Sequence, residues 1–189
     1  MKLSAVVAWA TIGLMAACAG PALNIYTLSL PASSGPEPPI GGKPTVIAVS
    51  RMTLQNDVDG TDLMLRDGST LRRSLTGRWA SRLSVAMTNR LTERLAARYP
   101  RALVTSSPLT DTAALSIRIN VSRLDINTDG SAVMDADWLV VPANTRLPVR
   151  QERSRLALQG SVATDPDIVA LTGALVDRLA SDIDVGAVR

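Results

Sequence analysis

Apolar and polar positions alternate along this chain with a period that changes from two to nearly four and back. Leu23–Leu30 (LNIYTLSL) sets Leu23, Ile25, Thr27 and Ser29 against Asn24, Tyr26, Leu28 and Leu30, which reads as a short strand. Thr45–Met52 (TVIAVSRM) is β-branched and largely apolar, the pattern of a buried strand. Asp62–Arg73 (DLMLRDGSTLRR) carries Asp67-Gly68 between two short runs, a hairpin signal. From Arg78 to Arg98 the period becomes helical: Trp79, Leu83, Met87, Leu91 and Leu95 fall four apart, with Ala86, Arg90 and Ala97 around them, and Pro100 closes the run.

Strands return after it. Arg101–Ser106 is short, whereas Ala113–Ile126 is long and places Leu115, Ile117, Ile119 and Val121 on one face. Leu124 and Ile126 have the opposite parity, so a bulge is expected near Ser122–Arg123. Ser131–Val141 and Arg153–Gly160 are further strands. Asp165 and Pro166 form an N-cap followed by a first-turn proline, opening a helix to about Asp184 with Ile168, Leu171, Leu175, Leu179 and Ile183 inward. Each helix must bury its apolar stripe, and a sheet is the available partner. The expectation is a single α/β (α+β) domain, a mixed β-sheet with two main helices packed on it.

The beginning of the chain follows another logic. Met1-Lys2 is a minimal positive segment, Leu3–Leu14 is apolar but too short to span a bilayer, and the small residues Ala16-Ala17 precede Cys18. Residues 1–17 read as a signal peptide. LMAAC (14–18) resembles a bacterial lipobox, with Met15 where Leu is usual. That resemblance implies cleavage before Cys18 and acylation of its thiol and amine, several chains giving a stable anchor where one binds marginally. In bacterial lipoproteins a residue other than Asp after the cysteine, here Ala19, implies the outer membrane, with the domain facing the periplasm. The chain then divides into the leader 1–17, a lipid-anchored N-terminus 18–22 and a periplasmic domain 23–189, with a Pro/Gly/Ser-rich stretch at 31–44.

Composition removes several chemistries. Cys18 is the only cysteine, so no internal disulfide forms, and the chain has no histidine, so Ser-His-Asp triads, Cys-His dyads and His-based metal sites are excluded. The formal charge of +3 permits an acidic partner or an anionic membrane without demanding one. Asp125, Asn127, Asp129 and Gly130 match the first half of a calcium-binding loop, but position twelve is Ala136 and strands flank the motif, which favours a hairpin turn. Asp135 and Asp137 share a strand face, a pair that a carboxylate-based hydrolase uses and that a solvated face also shows. No metal or cofactor set is identified.

One charged feature stands out. Arg78, Arg82, Arg90, Arg94 and Arg98 form a row at spacing four, broken only by Ala86, within a stretch from Arg66 to Arg101 that holds nine Arg against Asp67 and Glu93. Such a row suits an acidic protein surface or lipid phosphates, or is a solvated face whose arginines cover apolar neighbours. Nucleic acid is not expected, because base-stacking aromatics are absent. Tyr26 and Trp79 are read as core residues.

Cys18, IYTLSL (25–30), VIAV (46–49) and the run from Asp62 through RWA (78–80) to Leu91 together resemble the ABC-type transport auxiliary lipoproteins of the PqiC/YmbA type. The corresponding elements are Tyr26-Thr27-Leu28, Leu63 to Arg66, and Arg78-Trp79-Ala80. The resemblance implies a non-enzymatic accessory of an MCE-type transport system moving phospholipid or other hydrophobic cargo. The partners would be an MCE-domain protein and an inner-membrane permease with or without an ATPase, and the resemblance admits a homo-oligomer. It carries no catalytic residues. The alternative reading is a periplasmic lipoprotein that activates an envelope enzyme such as a peptidoglycan synthase.

Overall fold

A computed structural model of the chain describes residues 22–29, 44–107 and 112–186. The leader, Cys18 and all but the end of the Pro/Gly/Ser stretch lie outside these residues. In chain order the elements are β1 (Asn24–Tyr26), β2 (Thr45–Val49), β3 (Asp62–Asp67), β4 (Thr70–Trp79), α1 (Leu83–Arg98), β5 (Ala102–Thr105), β6 (Leu115–Ile126), β7 (Ser131–Pro142), β8 (Arg150–Gln159) and α2 (Asp165–Asp182).

The fold is α+β, as the pattern predicts, but the strands form two sheets rather than one. The larger has the order β5-β2-β6-β7-β8, parallel at β5-β2-β6 and antiparallel at β6-β7-β8. The smaller has the order β1-β4-β3, parallel and then antiparallel. Among the described residues a backbone bridge between Arg66 and Asn127 links them, where Thr128 N–H donates to the Arg66 carbonyl at 2.9 Å. Side-chain period names a strand's faces and says nothing about its lateral neighbours, so the division was invisible in the pattern.

The register expectations hold in detail. β7 alternates cleanly: Ala132, Met134, Ala136, Trp138 and Val140 are buried, whereas Val133, Asp135, Asp137 and Leu139 are half-buried on the outward face. The bulge falls at Ser122, between Val121 and Arg123. The Trp138 indole N–H donates to Ser154 Oγ on β8 at 3.2 Å, so the largest core side chain is satisfied. α1 and α2 pack side by side, α1 against β5 and α2 against β8 and β7, and one continuous core fills the space between. No helix among the described residues is long and apolar enough to cross a membrane.

Two boundaries differ from expectation. α1 begins at Leu83, because Arg78 and Trp79 belong to β4, pairing with Ile25 and Tyr26. The Trp79 N–H donates to Thr61 O and the Ala80 N–H to Tyr26 O, both at 2.7 Å. Trp79 is nonetheless core, as expected, and its spacing from Leu83 is a coincidence of a strand end and a helix start. At α2 the N-cap is Thr164 rather than Asp165, and Asp167 Oδ2 accepts from the Thr164 backbone N–H at 3.0 Å as part of a capping box. Asp165 instead accepts from Thr76 Oγ1 at 2.7 Å, tying α2 to β4.

Candidate functional site

The arginine row resolves into three separate arrangements. Arg78, on β4, pairs with Asp62 at 2.8 Å and donates to the Ser74 and Gly77 carbonyls, each at 2.6 Å, holding an irregular stretch of its own strand. Arg82 is the residue before α1 and lies against Asp59, donating to the Asp59 carbonyl at 2.8 Å. α1 has no capping side chain of its own, and Asp59 supplies one from the preceding loop: its Oδ1 accepts the Ser84 N–H at 2.9 Å. Burial pushes the Asp59 carboxyl up, but the Ser84 hydrogen bonds and the nearby Arg82 and Arg51 outweigh it and hold it below the ordinary carboxylate value.

Arg90, Arg94 and Arg98 occupy the seam between α1 and α2. Arg90 grips Asp177 with two bonds of 2.8 Å, and Arg94 grips the same carboxylate from the next turn at 2.8 and 2.6 Å. The third Arg90 donor reaches the Leu28 carbonyl at 2.8 Å, so this side chain also fixes the chain segment after β1. Partial burial raises the Asp177 carboxyl, and the two forked guanidinium contacts overcome it, leaving it lowered. Gly173 makes the arrangement fit, since a Cβ there would sit 2.9 Å from the Arg90 guanidinium carbon. Arg98 donates to the Ala180, Ser181 and Ile183 carbonyls at 2.9–3.2 Å. It thus places a cation at the C-terminus of α2, whose own last turn has no basic residue.

Three other carboxylates flagged by the sequence, Asp125, Asp129 and Asp137, are likewise engaged. Asp125 is buried and ion-paired to both Arg66 of β3 and Arg123 of β6, so it joins the two sheets. Asn127 Nδ2 donates to Ser131 O and Oγ, Asp129 accepts the Ser131 N–H at 2.8 Å, and Gly130 takes φ +83°. This is the turn between β6 and β7, built on its own backbone. Asp137 takes a forked contact from Arg153 across the β7–β8 pair at 2.6 and 3.1 Å, and Asp135 stands opposite Arg155. Among the described residues no group of three or more His, Cys, Asp or Glu is placed to hold a metal, and every buried side-chain nitrogen and oxygen has a hydrogen-bond partner.

The surface that sequence reasoning missed is apolar. At the far end of β7 an open groove of about 630 Å³ is lined by Leu115, Val140, Pro142, Leu147, Pro148 and Val185, with Arg150 on its rim. Leu147 and Val149, in the loop before β8, are more than half exposed. Arg150 donates to the Asp184 carboxylate at 3.0 Å and to its carbonyl at 2.9 Å, which holds the end of the described chain beside the groove. The sign available in the sequence was the pair of apolar residues flanking Pro148 in an otherwise polar connection, Ala143–Arg150.

Comparison with known proteins gives this geometry a family. A model for the ABC-type transport auxiliary lipoprotein component matches residues 26–184. Among solved structures, one described only as an uncharacterized protein superposes with a TM-score of 0.69 at 16% identity, over 85% of this chain and 95% of that one. A Xanthomonas campestris protein superposes at 0.61 and 12% identity, over 84% and 91%. At such identities these two show the shared fold. No curated protein gives a significant match. The family match covers most of the chain, which therefore belongs to the ABC-type transport auxiliary lipoproteins.

Proposed function

We propose that this family member is a non-enzymatic accessory lipoprotein of an ABC/MCE-type system that moves lipids or other hydrophobic molecules across the cell envelope. The leader 1–17 is removed, Cys18 carries the acyl anchor, and residues 23–189 form a domain on the periplasmic side of the outer membrane. There it docks the MCE-domain protein that connects to the inner-membrane permease and ATPase. The observation that carries the reading is the family match over 26–184, preceded in the sequence by the lipobox-like LMAAC. The ion pairs of Asp125 and Asp137 and the turn bonds of Asp129 support a structural role for them over a catalytic one.

The groove beside Leu147 is the docking surface in this reading. It lies toward the end of β7 away from the smaller sheet that carries the N-terminal strand, which meets the larger sheet at Arg66 and Asn127. A partner arriving from the periplasm meets that end first. Contact of the arginine row with a partner or with lipid is confined to its exposed parts, chiefly Arg82 and Arg98, with Arg94 half-buried. The test is a crosslinked pull-down from native membranes. Recovery of an MCE-domain protein, reduced severalfold by Leu147→Asp with Val149→Asp, supports the reading. Recovery of a cell-wall synthase without permease components replaces it with the activator reading.

A further inference from the structure

The exposed large apolar residues fall mainly at two ends of the molecule. Leu147 lines the groove and Val149 lies in the same loop, whereas Leu23 (53% exposed) just before β1, Ile25 (61%) on β1 and Leu75 (76%) on the neighbouring β4 belong to the smaller sheet. Among the described residues β1 is an edge strand, paired with β4 alone. It is nevertheless firmly placed. The Tyr26 carbonyl accepts from Ala80 N–H, Leu28 is 1% exposed in the core, and Arg90 holds the Leu28 carbonyl. The domain therefore cannot turn freely about the strand by which the chain enters it.

Chain length supplies the occupant. Cys18 precedes Leu23 by five residues, which span at most about 18 Å when fully extended. Acyl groups on Cys18 thus bring Leu23 to within that distance of the lipid surface and Ile25, two residues further on, to within about 25 Å, while the core contacts of Tyr26 and Leu28 prevent the domain from hanging on a longer tether. On the same strand as Leu75, Arg72 and Arg73 have side chains 67% and 58% exposed, each beside a carboxylate. They provide cations next to the apolar patch, the combination that suits a headgroup region.

We propose that the β1–β4 edge, with Leu23, Ile25 and Leu75, is seated on the phospholipid surface and fixes the orientation of the domain, turning the Leu147 groove away from the membrane. The inference rests on acylation of Cys18, and the experiment separates the two. The full-length lipidated protein, with an environment-sensitive fluorophore on Ile25→Cys, Leu75→Cys or Leu147→Cys, is reconstituted into vesicles of phosphatidylethanolamine and phosphatidylglycerol containing a nitroxide-labelled lipid. Flotation reports the anchor, and quenching reports the contact.

The expected result is flotation of all three, with labels at 25 and 75 quenched severalfold more than at 147. Flotation with equal quenching at the three positions leaves the anchor standing and overturns the seated edge. Protection at 25 and 75 without lipid quenching, rising with protein concentration, also overturns it and assigns the edge to a second copy of the chain. Failure to float refutes the anchor, and the seated edge with it.

Discussion

Two regions of this molecule use the same chemical pair, arginine with aspartate, to different effect. At the α1–α2 seam, Arg90 and Arg94 close on one carboxylate from a second helix, 87 and 83 residues away in sequence, with Arg90 only 16% exposed. On the outward face of the larger sheet, Arg153 pairs with Asp137 of the adjacent strand, 16 residues away, with the arginine 57% exposed. The first contact joins two helices that share no backbone ladder and replaces lost hydration with several charged hydrogen bonds. The second ties strands already joined by their backbone ladder, in water, where an ion pair adds little. Location, rather than the number of charges, decides what an arginine does here.

The comparison is most directly broken at Asp177. Asp177→Ala leaves two guanidinium groups of the seam without their acceptor and is expected to cost about 2–3 kcal/mol in urea unfolding. Gly173→Ala keeps every charge but crowds the Arg90 guanidinium; because alanine in a helix interior is itself worth about 1 kcal/mol over glycine, a midpoint that fails to rise by that amount measures the cost of displacing the guanidinium, and a full rise means that the seam yields freely. Acid sharpens the contrast. The folded Asp177 carboxyl is lowered, so its contribution is complete at neutral pH and disappears as pH falls below the ordinary carboxylate value through the lower folded one. The stability gap between the unsubstituted protein and Asp177→Ala should therefore narrow in that window, and a gap independent of pH would assign the effect to packing. Asp137→Ala is expected to leave the unfolding midpoint nearly unchanged, although hydrogen bonding to Arg153 lowers its carboxyl too.

Much of the fold was legible because its signals are local. The hairpin around Gly68, the bulge at Ser122 and the apolar stripe of α2 each follow from spacings of a few residues. Arg78 and Trp79 were misread for the same reason: spacing of four is the helical signature, and it also occurs by chance where β4 ends four residues before α1 begins. The candidate site was legible as a row of cations but not as a set of contacts. Asp177 and the carbonyls at the end of α2 lie 82–87 residues from their arginines, and Asp59 lies 23 from Arg82. No periodicity connects such positions.

By itself the sequence determined which residues face inward on each strand and helix, the absence of histidine and disulfide chemistry, and the lipobox-like start from which an anchored accessory role is proposed. Those properties depend on residue identity and on intervals shorter than a turn or a hairpin. Only the tertiary structure decided that the strands divide into two sheets, that the arginines cap and clamp neighbouring elements, and that apolar surface is left at two opposite ends. Each of these is settled by which distant segments are brought into contact, because burial and hydrogen-bond satisfaction act on the folded surface and not along the chain.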